Sequence, residues 1–305
     1  MRSRGSWLIG ETAAGRIDLI SKTFFASSLS NFNRKSSKPD YFYDRYQPWM
    51  SSPSLVEEVT LQSVEPPTSM SGRIVTSNES LTKLSLMIAS SKRTDILPKM
   101  YQNRIFNDWQ DYYPELPATF ERAVTDLRRC SWIYSIYRSL VLNLVPLTSR
   151  ANAASSNSAC SDFNLLGAVL FGLKVKSNFQ RVDLALSLAH ETGHQALMLY
   201  QRTSAVIENY RQTVYSGVRK TKRPAILALQ ACMALAYMIE MSISLEKSKD
   251  FDRKEIAYLK QQRQQYTSQL KASLFDFRNE KIIFTGLGRI LISELSIYSS
   301  LPEAV

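Results

Sequence analysis

The chain has only two histidines in 305 residues, His190 and His194, and both lie in the string HETGH. Residues four apart stack on one face of a helix. A helical segment therefore lets the two imidazoles converge on one metal ion, with Glu191 beside them, in the H-E-x-x-H arrangement of metal-dependent enzymes. The plainer alternative is two surface histidines and a solvated glutamate. Against it stands the economy of the sequence, which places every histidine it has at this spacing.

The surrounding pattern predicts a helix from about Val182 to Gln201 that carries the motif. A second, AILALQACMALAYMIEMSI, follows Pro224 and runs to about Glu246. Proline is well suited to the first position of a helix, where the missing N–H costs nothing. A third helix spans about Lys254 to Phe275, and its run LKQQRQQYTSQLK reads as a solvated face. A turn at Gly286–288 then leads into a final helix. Upstream, helical periodicity covers Leu81 to Met100 and again Phe120 to Leu144. In the latter, Ala123, Leu127, Cys130, Ile133, Tyr134 and Tyr137 form one stripe, and Pro146 ends it. The polar segment 149–162 reads as a loop, and the apolar run NLLGAVLFGL as a short buried strand. Residues 1–80, with five prolines and the aromatic group Tyr41, Phe42, Tyr43, Tyr46 and Trp49, form a region expected to pack on a helical metal-binding body, 81–305. The fold class expected is mainly α, a helical single-domain metalloenzyme with a minor β contribution.

Composition narrows the function classes. The net charge of +11 is spread along the chain, and its densest cluster, Arg219, Lys220, Lys222 and Arg223, lies close to the metal motif. No nucleic-acid module accompanies it, so anion or substrate binding is the better reading and nucleic acid is not expected as a partner. Three scattered cysteines suggest a reducing compartment without a disulfide framework. Charges interrupt the first apolar residues too early for a signal peptide. By this reading no stretch approaches the apolar length of a membrane span, so the expected location is the cytoplasm.

Two histidines need a further donor. The longer metzincin motif would require Gly at 197 and His at 200, and the chain has Leu197 and Tyr200. A later glutamate is the alternative, with Glu208, Glu240 and Glu246 as candidates. By helical spacing Gln230, Tyr237 and Glu240 fall near one face of the helix after Pro224. Glu240 is the leading third ligand and Gln230 its alternative. With zinc, Glu191 would serve as general base for peptide hydrolysis. With ferrous iron, two histidines and a carboxylate leave positions open for a keto acid and oxygen.

The downstream residues bear on that choice. The helix LALSLAHETGHQALMLY, the segment YSGVRKTKRPAILALQ and the C-terminal FTGLGRILI occur in that order. Over about residues 165–295 the chain thereby resembles the HExxH-type 2-oxoglutarate-dependent peptide β-hydroxylase family. The matching positions are Tyr215, Ser216, Arg219, Arg223 and Pro224, then Thr285, Leu287, Gly288 and Arg289. The family's Pro-Trp is Gly217-Val218 here, and the proline of its last motif is Gly286. The resemblance implies Fe(II) and 2-oxoglutarate as cofactors, and hydroxylation at Cβ of a side chain in a peptide, such as a ribosomally made precursor. Glu191 would then be a ligand or would orient a histidine or the substrate. The distal carboxylate of 2-oxoglutarate suits a planar, two-pronged donor, with Arg223 preferred over Arg219, and Tyr215 or Ser216 adding a hydrogen bond. Arg289 reads as structural, bonding helix-end carbonyls. Histidine is frequent in the family at the position of Gln230. As a ligand Gln230 would be a weaker substitute, which keeps open a third reading, a degenerate peptide-binding protein.

Overall fold

The computed structural model describes residues 8–33, 73–74, 116–141, 143–147, 160–161, 167–172, 179–209 and 211–300. In chain order these form α1 (Glu11–Asn33), β1 (Arg73–Ile74), α2 (Leu116–Leu127), α3 (Ser131–Leu140), β2 (Asn143–Leu147), β3 (Cys160–Ser161), β4 (Ala168–Gly172), α4 (Gln180–Thr203), β5 (Thr213–Ser216), β6 (Thr221–Pro224), α5 (Ala225–Glu246), α6 (Arg253–Asn279) and α7 (Gly286–Ser299). The fold class is mainly α with a minor β contribution. The expected aromatic cluster at 41–49, the helix at 81–100 and the boundary near residue 80 lie outside the described residues.

Two compact units emerge, one of Met1–Ile17, Glu121–Ile136 and Asn178–Val305, the other of Asp18–Phe120 and Tyr137–Ser177. The second unit holds a sheet of order β1-β2-β4-β3, in which β1/β2 and β2/β4 are parallel and β3/β4 antiparallel. The expected buried strand is β4. Three details differ from the sequence reading. The stripe from Phe120 onward is two helices, broken at Arg128–Cys130, although Ala123, Leu127, Cys130, Ile133 and Tyr137 are all buried. Pro146 does not end a helix but sits in β2, opposite Phe171 of β4. Residues 160–161, expected in a loop, pair with β4.

The first unit is built around α5. Its residues are apolar on every side, and a helix of that kind belongs in a core. It packs against α4 and α6, with α7 and the β5–β6 hairpin completing its surroundings. Contrary to the sequence reading, α5 does have the length and apolarity of a membrane span. Its most apolar 18-residue window has a mean hydropathy of 1.7, yet 78% of that window is buried within the fold. Pro224 stands one place earlier than expected, as the N-cap in extended conformation and the last residue of β6.

The motif helix α4 starts without a side-chain cap at Phe179. Tertiary contacts fix it instead. Arg181 grips the buried carboxylate of Asp126 with two hydrogen bonds of 2.6 and 2.7 Å. Its guanidinium also lies 4.4 Å over the Phe251 ring. Phe179 stacks on Tyr258 at 4.3 Å, and the Tyr258 hydroxyl donates to Asp183 at 2.7 Å. α6 has the opposite arrangement, a local one, in which Asp252 and Glu255 form a reciprocal capping box.

At the other end of α4, backbone pairing joins the following loop to the entry of α7, with Glu208 N donating to Ile283 O at 2.9 Å. Asn209 reinforces this by donating to Lys281 O and accepting from Ile283 N. The glycines at 286 and 288 form the first turn of α7 rather than a turn before it. Thr285 caps that helix by accepting from Gly288 N at 3.1 Å, and it donates to Ala205 O at 2.7 Å. A Cβ on Gly288 would overlap the carbonyl of Val206. Arg289 donates to Phe284 O at 2.8 Å, which agrees with a structural role. Thr285 and Gly288 therefore serve to lock α7 onto the loop that leaves α4, while Arg289 ties down the entry of α7 itself.

Candidate metal centre

One helix turn of α4 brings the two imidazoles together, as the spacing requires. His190 Nε2 and His194 Nε2 are 2.9 Å apart. With metal–nitrogen bonds of about 2.0–2.1 Å, two donors at a right angle on one ion stand about 3 Å apart. The pair thus has the separation that a shared ion needs. Glu191 joins them, with Oε1 3.8 Å from His190 Nε2 and its side chain almost wholly buried. Among the described residues, this is the group of His, Cys, Asp and Glu side chains whose ligand atoms come within metal-binding range of one another.

Close packing holds the motif in register. Gly193 lies against α5, where a Cβ would meet Ala234 Cα at 3.1 Å and Met233 O at 3.2 Å. Thr192 is buried and donates to Leu188 O at 2.7 Å. Gln230 faces the motif from α5, with Oε1 2.8 Å from His194 Nδ1. Its Nε2 donates to Gln201 Oε1 at 2.9 Å. Gln201, seven residues after His194, lies on the same stripe of α4.

The field around the pair keeps both imidazoles neutral. Burial, then the hydrogen bond to Gln230 acting in opposition, then the charge of Arg223 together lower the His194 pKa to about 4. Burial, then His194, then Arg219 push the His190 pKa well below its usual value. About a third of the His190 side chain, 32%, stays open to solvent, which tempers that shift without reversing it. Neutral imidazoles are the form that binds metal.

The sequence candidates divide clearly. Arg219 and Arg223, from the hairpin, act electrostatically on His190 and His194 respectively. Arg223 is half-buried, and burial and then the like charge of Arg219 lower its pKa. Neither arginine has a carboxylate partner among the described residues. Tyr215 pairs with Lys222, on the face of the hairpin opposite the Val214–Arg223 pair. Ser216 is fully buried and is occupied in the turn, its hydroxyl accepting from Arg219 N at 3.4 Å.

Nor does Glu240 join the donor group. It is ten residues beyond Gln230 on α5, about 15 Å along the axis. Glu246 is held by Arg263 through bonds of 2.7 and 3.1 Å, and Glu208 is exposed. Tyr237 packs edge-on against Trp132 and under Gly193, where a Cβ would lie 3.2 Å from its ring. Gln230 meets His194 through the nitrogen that does not face His190, so its place is behind the histidine and not where the two Nε2 atoms meet. Gly217 fits a close approach to α6. Its N–H donates to Ser273 Oγ at 2.9 Å, and a Cβ there would crowd Gln269 O. Comparison with protein-family models and with curated proteins finds no match to the chain.

Proposed function

We propose that the chain is an Fe(II)- and 2-oxoglutarate-dependent hydroxylase that acts at Cβ of a side chain in a peptide. One observation supports this reading over the others. Arg219 and Arg223 bear on the imidazole pair, and neither has a carboxylate partner among the described residues. A half-buried guanidinium beside a like charge favours an anionic ligand, and a planar carboxylate accepts two of its hydrogen bonds. His190, His194 and Glu191 would hold the ion. Bound ferrous iron would supply oxygen activation coupled to decarboxylation of 2-oxoglutarate, with one oxygen atom passing to the peptide carbon. Arg223 would bind the distal carboxylate, and Arg219 would add to the attraction.

A zinc peptidase is the second reading, favoured by the buried Glu191 carboxylate 3.8 Å from His190 Nε2, the place of a general base beside a metal-bound water.

Anaerobic titration of 2-oxoglutarate into the Fe(II)-loaded protein distinguishes these readings. The oxygenase predicts a saturable visible charge-transfer band, absent in His190→Ala and requiring more cosubstrate in Arg223→Met. No band, with zinc tightly held at one equivalent, moves the assignment to the peptidase. No band and no retained metal leaves a peptide-binding protein that has lost the chemistry.

A further inference from the structure

The contact between Gln230 and His194 has a direction. A neutral imidazole carries one N–H, and the partner at one ring nitrogen decides where it sits. At His194 the partner at Nδ1 is Gln230 Oε1, 2.8 Å away, an atom that can only accept. The other end of the same amide donates to Gln201 Oε1 at 2.9 Å, so both ends of the Gln230 side chain are engaged by α4. Gln230 is buried, with 8% of its surface exposed, and water competes little for these bonds.

We infer that Gln230 is a positioning residue that fixes His194 as the Nδ1–H tautomer. The proton lies toward Gln230, and the Nε2 lone pair faces His190 Nε2, 2.9 Å away. In the metal-free protein His190 Nε2 then donates to His194 Nε2. His194 is pre-set to bind an ion, while His190 must give up its Nε2 proton to do so. The two histidines of the motif are therefore unequal, and α5 makes them so. The tautomer belongs to the metal-free protein and does not depend on what the site binds; its consequence for metal affinity rests on the reading proposed above. Gln230 thereby takes the part of an outer hydrogen-bond partner of a ligand, a contact whose loss typically weakens metal binding 10- to 100-fold.

The chain's two imidazoles make the test direct. Long-range 1H–15N correlation spectra of the metal-free protein at neutral pH show two histidine patterns, assigned with His190→Ala. The expected result is Nδ1–H for His194 in the native chain and in Gln230→Glu, which keeps an acceptor. Gln230→Leu should move His194 toward the Nε2–H form and raise the Kd for Co(II) at least tenfold. An Nε2–H pattern for His194 in the native chain overturns the inference whatever the Gln230 variants show, since it requires the amide to face the other way. A tautomer unchanged in folded Gln230→Leu overturns it as well. If native protein shows Nδ1–H but does not bind Co(II), the metal reading fails and the positioning role stands.

Discussion

Gly193 and Ala234 meet backbone to backbone, so close that a Cβ on Gly193 would stand 3.1 Å from Ala234 Cα. The glycine in the middle of the metal motif thus sets the distance between α4 and α5, and with it the reach of Gln230 to His194. Gly193→Ala gains helix propensity but must separate two backbones. The expected net loss is about 1–2 kcal/mol of stability, together with weaker Co(II) binding. A stabilised variant with native affinity would mean that the helices can part freely.

Stability should fall with acid through the histidines. The folded-state pKa of His194, about 4, is below the ordinary value of 6.5, so between these values the unfolded chain binds more protons. The contribution is complete above about pH 6.5, declines as the pH falls toward 4 and then levels off. His190 shifts in the same direction. Denaturant unfolding of metal-free protein between pH 7 and 4 should show this slope, and His194→Asn should reduce it. An equal slope in that variant would place its origin elsewhere.

Tyr237 is fully buried, and its hydroxyl has no hydrogen-bond partner among the described residues. Removing an unsatisfied hydroxyl should help, and Tyr237→Phe is expected to stabilise the protein by about 1 kcal/mol. A drop in the melting temperature would show that the hydroxyl has a partner, such as a buried water.

Glu294 of α7 accepts from both Leu8 N and Ile9 N at 2.8 Å. Glu294→Leu leaves two buried donors unsatisfied, with an expected loss of about 3 kcal/mol. In hydrogen exchange, the Leu8 and Ile9 amides should lose protection before those of α5. Retained protection at both would show that the Tyr200 hydroxyl, which donates to Leu8 O at 3.1 Å, and the packing of Leu8 suffice to hold the segment.

The parts of this architecture that depend on neighbours in sequence were legible. α4 and α5 fall within two residues of their expected limits, because apolar periodicity and Pro224 are local signals. The start of α6 was also written locally, in Asp252-Arg253-Lys254-Glu255, a capping box that marks Arg253 as the first helical residue. The break between α2 and α3 was hidden because the buried stripe keeps helical spacing across it. Pro146 was misread because a proline after a helical stripe carries the same local signal whether it ends a helix or sits in a strand, and only its pairing with β4 tells the two apart. At the site, His190, His194 and Glu191 came from spacing alone, whereas the choice between Glu240 and Gln230 needed the alignment of two helices. Gln201 had a usable signal, its place seven residues after His194 on one stripe. The grip of Arg181 on Asp126, 55 residues away, had none.

The bond from Glu294 to Leu8 joins residues 286 positions apart. Local helices can form as soon as they are made, but this contact must wait for the last of them. During synthesis the Leu8–Ile9 segment emerges early and its acceptor very late, at roughly 5–20 residues per second. For most of that interval the N–H groups of Leu8 and Ile9, buried residues of the finished fold, lack their acceptor. A ribosome stalled before α7 would therefore hold a chain with the HETGH helix already made but still unsealed, a state that chaperones should recognise and the finished protein should not.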